Sequence, residues 1–152
     1  MIRDELLHPA ISHFPIACLS LSLLVFVAYL MTKKTPLKTI FEFLLFTGSA
    51  LILPTLFLGD MALDIVKPEL CSLIEASKHE IWGEYTLVFA ILTSAIWLSQ
   101  NFLKRGHTII KYLTLVSLIT CNYWLFKTAH EGGELVYDLG AAVKIDKNKC
   151  SL

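Results

Sequence analysis

Histidine is the residue type through which this sequence could do chemistry, because imidazole is a common metal ligand and titrates near neutral pH. The 152 residues contain five histidines: His8, His13, His79, His107 and His130. Imidazoles gathered at one place can hold haem iron, copper or zinc. The sequence contains neither a phosphate-binding glycine loop nor a nucleophile–base pair. It therefore favours an electron carrier or redox subunit over a bond-making enzyme.

The first two histidines lie in a segment framed by prolines, His8-Pro9 followed by His13-Phe14-Pro15. Proline fits a helix entry, where its missing N–H costs little. A separation of five residues corresponds to about 140° around a helix, so the two imidazoles point in different directions. Either they serve two metal centres, or one ligates the metal and the other supports a ligand.

The third histidine is followed one turn later by a glycine, in the segment His79-Glu80-x-x-Gly83. A glycine at this position allows the close approach of a flat macrocycle or of a neighbouring helix, and both interpretations stand. Glu80 is either solvated or part of a proton relay at the membrane surface.

The segment after His130 contains two glycines, Gly132 and Gly133. Because glycine permits left-handed backbone, this pair predicts the end of the fourth helix. Residues 135–143, which include Tyr137, are too apolar for a free tail, so we predict that they fold back over the histidines as a lid. Gly59-Asp60 is expected to close the second helix in the same region.

Four long apolar segments must position these residues. Apolar residues form 55% of the chain and charged residues 17%, whereas soluble domains have about 45–50% and about 25%. The apolar segments cover residues 14–31, 40–59, 81–98 and 108–126. As helices they are about 27–30 Å long, which matches a bilayer core of about 30 Å. The predicted fold is an all-α bundle of four transmembrane helices, a single domain over residues 1–152.

The basic residues predict the orientation of the bundle. Lys and Arg balance Asp and Glu at 13 each, so no positive field favours nucleic acid. The segments 32–39 and 99–107, with the start of the fourth span, contain six basic residues: Lys33, Lys34, Lys38, Lys104, Arg105 and Lys111. The positive-inside rule places these loops in the cytoplasm and both termini in the periplasm. His8, His13, His79 and His130 then share the periplasmic face.

Two further residue types yield predictions from their position. Trp82, Trp97 and Trp124 lie near span ends, as in an interfacial aromatic belt. Cys71 and Cys150 fall in outer segments, where the oxidising periplasm favours a disulfide between them. Cys18 and Cys121 lie inside spans and are expected to behave as small apolar residues.

The motifs together resemble domain-of-unknown-function family 2231, a family of four-helix bacterial membrane proteins. The resemblance rests on the two histidine–proline motifs, Gly59-Asp60, His79, and Gly132-Gly133-x-Leu135-Val136-Tyr137. It implies a protein of the cytoplasmic membrane and suggests a b-type cytochrome. The family's usual histidine after the tyrosine is replaced here by Leu139, which leaves four outer histidines.

Three functions are compatible with these residues. The first is electron transfer through one or two b haems, with a periplasmic redox protein or quinol as partner. The second is binding of copper or zinc, with help from Asp60, Glu80, Glu131 or Cys71. The third is an accessory subunit in a larger membrane complex or homo-oligomer. The lipid bilayer is a partner in all three, and no CxxCH motif for c-type haem is present.

The axial pairing is left open, and His8 is ranked after the other three outer histidines because it precedes the predicted helix. The predicted cofactor and metal ligands are His8, His13, His79 and His130, supported by Gly83, Asp60, Glu80, Gly132, Gly133 and Tyr137.

Overall fold

Four long helices account for nearly all of the described chain. The computed structural model describes residues 4–70, 73–103 and 106–141. Its helices are α1 (Leu7–Thr32), α2 (Thr35–Val66), α3 (Ile74–Ser99) and α4 (His107–Tyr137). Single 3-10 turns at Asp4–Leu6 and Lys67–Glu69 precede α1 and follow α2. No strand occurs in the described ranges.

The helices are arranged as two antiparallel hairpins, α1–α2 and α3–α4, joined mainly through α2 and α3. The first hairpin turns sharply because Lys33 adopts a left-handed conformation and Pro36 lies in the first turn of α2. In the second hairpin, Gly106 adopts a left-handed conformation just before α4 begins. We call the end with the starts of α1 and α3 and the ends of α2 and α4 the histidine end.

The outer surface of the bundle is suited to lipid. All four helices are long and apolar enough to cross a membrane. Large apolar side chains such as Leu24, Phe43, Val88 and Val116 are more than half exposed, as expected of helices whose solvent is hydrocarbon. The prediction of an all-α bundle with four membrane helices is therefore confirmed.

The core at the opposite end of the bundle is aromatic. Phe26, Phe41 and Trp97 are buried, with ring centres 4.4–5.5 Å apart. The indole N–H of Trp97 donates to Glu42 Oε1 across 2.9 Å, which brings an otherwise costly carboxylate close to a donor. The prediction that Trp97 belongs to an interfacial belt is wrong, because its ring is 1% exposed and packs between helices.

Helix ends differ most from the predictions. Helix α4 continues through Gly132 and Gly133 to Tyr137, so the prediction that these glycines end it is wrong. The left-handed residue that follows the helix is Gly140, and the Ala141 N–H donates to Leu135 O. Gly59-Asp60 likewise lies inside α2. The remainder of the predicted lid, residues 142–143, lies outside the described residues.

Candidate functional site

Two histidines from different hairpins meet at the histidine end. His8 lies in the first turn of α1 and His79 in the second turn of α3. Their ring centres are 5.9 Å apart and the ring planes are nearly perpendicular, at 88°. The pair therefore contains His8, the weakest candidate of the four outer histidines by sequence, and His79, one of the three stronger candidates.

Each ring of the pair is fixed by a main-chain carbonyl of the adjacent helix in its own hairpin. His8 Nδ1 lies 2.9 Å from the oxygen of Thr55, and His79 Nδ1 lies 2.9 Å from the oxygen of Thr128. A carbonyl oxygen can only accept a hydrogen bond, so Nδ1 carries the proton in both rings. The other ring nitrogen, Nε2, then has the free lone pair that a metal ion requires.

A glycine makes room for each ring. A Cβ added to Gly59 would lie 3.1 Å from His8 Cε1, and one added to Gly132 would lie 2.9 Å from His79 Cε1. In each case the glycine is four residues after the threonine that accepts the hydrogen bond. In an α-helix, the N–H of this residue donates to the same threonine carbonyl. Because glycine has no side chain, the carbonyl remains accessible to a second donor, the imidazole.

The histidine pair faces a cavity of about 480 Å³, within the range of about 300–1,000 Å³ typical of ligand pockets. Side chains from all four helices line it, and most of the lining is apolar. The turns at the end of α4 contribute Leu135, Val136, Tyr137 and Ala141. An apolar cavity with two fixed imidazoles is suited to a large, mostly apolar ligand that contains a metal ion.

The other two outer histidines are placed differently. His13 is exposed at the cavity rim, and its Nδ1 donates to Pro9 O within its own helix. His130 is exposed on α4, stacks on Phe126 and has its Nε2 3.3 Å from Glu134 Oε1. Its side chain is absent from the cavity lining. The structure therefore brings His8 and His79 together and leaves His13 and His130 outside the pair.

The predicted supporting residues lie around the cavity. Gly83 is buried, and a Cβ there would lie 3.0 Å from Leu56 Cδ2. Asp60 and Glu80 are exposed residues of the cavity wall. Gly133 also lines the cavity, but a Cβ there would meet no atom within 4 Å.

The predicted disulfide cannot be placed, because Cys71 and Cys150 lie outside the described residues. The other two cysteines, Cys18 and Cys121, are free thiols inside α1 and α4. Cys121 is fully buried in the helix core, as expected of a small apolar residue.

The spacing of the pair fits one metal ion between two imidazoles. A bond from a metal ion to an imidazole nitrogen is about 2 Å long, and the ring centre lies about 1 Å further on. Two rings on opposite sides of one ion thus have centres about 6 Å apart, close to the 5.9 Å found here. The described residues contain no group of three or more His, Cys, Asp or Glu able to hold a bare ion.

Comparison with known proteins agrees with this architecture. A family model described as a predicted membrane protein, DUF2231, matches residues 5–145. The chain belongs to the DUF2231 family. The resemblance drawn from the sequence motifs is thereby confirmed, and the DUF2231 match spans all four helices. No curated protein and no solved structure matches the chain.

Sequence reasoning missed the two carbonyls that orient the rings. Any residue has a main-chain carbonyl, so residue type alone does not reveal which one accepts a hydrogen bond. A signal was nevertheless present, since the spacing Thr-x-x-x-Gly occurs in Thr55–Gly59 and again in Thr128–Gly132. Both occurrences lie on the helix that pairs with a histidine-bearing helix.

Proposed function

We propose that this DUF2231 protein is a membrane b-type cytochrome that holds one haem b between His8 and His79 and transfers electrons. The observation that carries the proposal is the His8–His79 pair, with ring centres 5.9 Å apart and each Nδ1 bonded to a carbonyl. One pair gives one haem per chain, because His13 and His130 lie outside it.

The donor set favours haem over a bare copper or zinc ion. Copper and zinc sites take three or four protein ligands, and no such group is present among the described residues. Haem needs only axial ligands from the protein, since the macrocycle supplies the others. The apolar cavity walls suit a flat, mostly apolar group. Gly83 instead allows Leu56 of α2 to pack closely against α3.

In this function the protein would bind the haem and keep other ligands away from the iron. His8 and His79 would hold the haem through their Nε2 atoms, and their carbonyl partners keep each ring in one tautomer. A haem held by both histidines would supply one-electron transfer and would leave no position for a substrate. Leu135, Val136 and Tyr137 line the cavity at the end of α4.

The partner follows from the location of the pair at one end of the bundle. By the positive-inside rule, that end faces the periplasm of a bacterial cytoplasmic membrane. A haem there lies within reach of a periplasmic redox protein or of quinol at the outer interface. Asp60 and Glu80, both exposed in the cavity wall, give this surface an acidic rim.

The test is haem analysis of the full-length protein purified in mild detergent. A pyridine haemochrome assay should find one haem b per chain, and the reduced native protein should show a low-spin spectrum. His8→Ala and His79→Ala should each reduce haem content to background. His107→Ala, at the opposite end of the bundle, is the control and should keep full haem.

Three results would contradict the proposal. Full haem content in the His8→Ala, His79→Ala double variant would exclude this pair as the ligands. A colourless protein with stoichiometric copper or zinc would replace the haem proposal by a metal-binding function. A folded protein with neither haem nor metal would leave an accessory role in a membrane complex.

A further inference from the structure

The two hairpins contribute matching sets of contacts to the site. In the first, His8 bonds to Thr55 O and rests on Gly59; in the second, His79 bonds to Thr128 O and rests on Gly132. His79 follows His8 by 71 positions, whereas Thr128 and Gly132 follow Thr55 and Gly59 by 73. Each threonine hydroxyl also donates to the carbonyl four residues earlier, Leu51 O and Trp124 O.

The same two offsets relate the buried faces of the helices. Adding 71 to the buried positions of α1 gives four buried positions of α3: Pro15, Leu19, Ser22 and Phe26 become Thr86, Ala90, Thr93 and Trp97. Adding 73 relates Phe41, Leu45, Gly48 and Ile52 of α2 to Thr114, Leu118, Cys121 and Leu125 of α4, all buried. Helical periodicity places each site residue on the buried face of its helix. The two hairpins therefore share one register of site and buried positions, in addition to their matching contacts.

We infer that the chain is a duplicated two-helix unit, and that the site consists of two equivalent half-sites, His8–Thr55–Gly59 and His79–Thr128–Gly132. No repeat is evident from residue identities, because the matched positions share burial more than residue type. Gly59 and Gly132 are then equivalent positioning residues, each of which sets the orientation of one imidazole. The ligand that such a site takes has two equivalent, opposed coordination positions.

The proposed role distinguishes Gly59 and Gly132 from a glycine elsewhere in the bundle. A methyl group at Gly132 would lie 2.9 Å from His79 Cε1, a distance that real Cβ atoms do not tolerate, so the ring must move. Gly48 is the matched control, because a Cβ there would crowd Leu19 in the helix core, away from the cavity.

The test compares Gly59→Ala, Gly132→Ala and Gly48→Ala in the full-length holoprotein by electron paramagnetic resonance and haem retention. The part that concerns haem rests on the proposed function. Gly59→Ala and Gly132→Ala should each shift the g-values and weaken haem retention about tenfold or more, as loss of ligand support does. Gly48→Ala should keep wild-type g-values, although it lowers thermal stability. A shift in only one of the two positioning variants, or an equal shift in the control, would overturn the inference.

A second measurement does not depend on haem. Nitrogen NMR of ¹⁵N-histidine in the haem-free protein should report the His8 and His79 rings protonated at Nδ1. Gly59→Ala should perturb the His8 signals, Gly132→Ala those of His79, and Gly48→Ala neither. Absence of haem from the wild type together with this pattern would refute the cytochrome proposal and support the equivalent half-sites. Absence of the pattern would refute the half-sites.

Discussion

Main-chain carbonyls orient both imidazoles, so the site should tolerate side-chain changes at the two threonines better than at the two glycines. The carbonyls of Thr55 and Thr128 persist whatever residue occupies those positions. What cannot vary freely is the residue four positions later, because its Cβ would lie beside the imidazole. The geometry of the imidazole pair is therefore specified by two histidines and two glycines.

Residue types predict that the outer histidines bind a metal, but they do not indicate that His8 and His79 lie together. The apolar run predicts that the first helix begins at residue 14, which places His8 before it. The structure begins α1 at Leu7, so His8 is helical and points toward α2. Hydropathy detects the part of a helix that lies in lipid, and it gives no signal for the polar turn that extends beyond.

The His130→Ala variant tests the pairing from the opposite direction. His130 is exposed, and its contacts among the described residues are an i,i+4 contact with Glu134 and a stack on Phe126. The variant should keep the wild-type haem spectrum and change the free energy of unfolding by less than about 0.5 kcal/mol. Visible spectroscopy and thermal unfolding in detergent measure both quantities, and loss of the haem band would mean that His130 is a ligand.

At the scale of the helices, the apolar length criterion found all four elements, and their interiors agree with the structure. The ends and faces required tertiary contacts. Helix α4 continues through Gly132, and the His79 ring occupies the space that a side chain at Gly132 would need. Trp97 lies near a predicted span end, yet Phe26, Phe41 and Glu42 draw it into the core. Neither contact can be read from one helix alone.

The Trp97→Phe variant measures the contribution of the contact between α2 and α3. Phenylalanine keeps the aromatic packing but removes the N–H that donates to Glu42. Interhelical hydrogen bonds in membrane proteins contribute about 0.6–1.5 kcal/mol, so the bundle should be destabilised by about that amount in a mixed-micelle unfolding assay.

Trp124→Phe is the matched control for this experiment. The Trp124 indole N–H has no hydrogen-bond partner in the described residues, and its ring stacks on Trp82. The substitution removes no hydrogen bond, so its free energy of unfolding should stay near the wild-type value. Equal destabilisation by both variants would show that ring size, rather than the bond to Glu42, determines the effect.

For the whole molecule, the orientation in the membrane determines which compartment the site faces. The two connections between helices at the end opposite the histidine end are short and rich in Lys and Arg. The positive-inside rule therefore predicts that this end is cytoplasmic. All four outer histidines then face the periplasm together.

Accessibility of single cysteines measures this orientation. In a chain whose four native cysteines are replaced, Ile65→Cys lies near the end of α2 at the histidine end, and Thr35→Cys lies at the start of α2. A membrane-impermeant maleimide added to intact cells should label position 65 and should label position 35 only after lysis. The reverse pattern would place the candidate site in the cytoplasm.

Because each hairpin contributes one histidine, the two halves of the site form one after the other during synthesis. His79 is synthesised 71 residues after His8, and its carbonyl partner at Thr128 comes later still. The first hairpin can enter the membrane and hydrogen-bond His8 while the ribosome is still translating the second. During that interval the nascent chain offers only one of the two imidazoles. A ligand that needs both imidazoles, such as the proposed cofactor, could therefore be captured only after α4 has inserted.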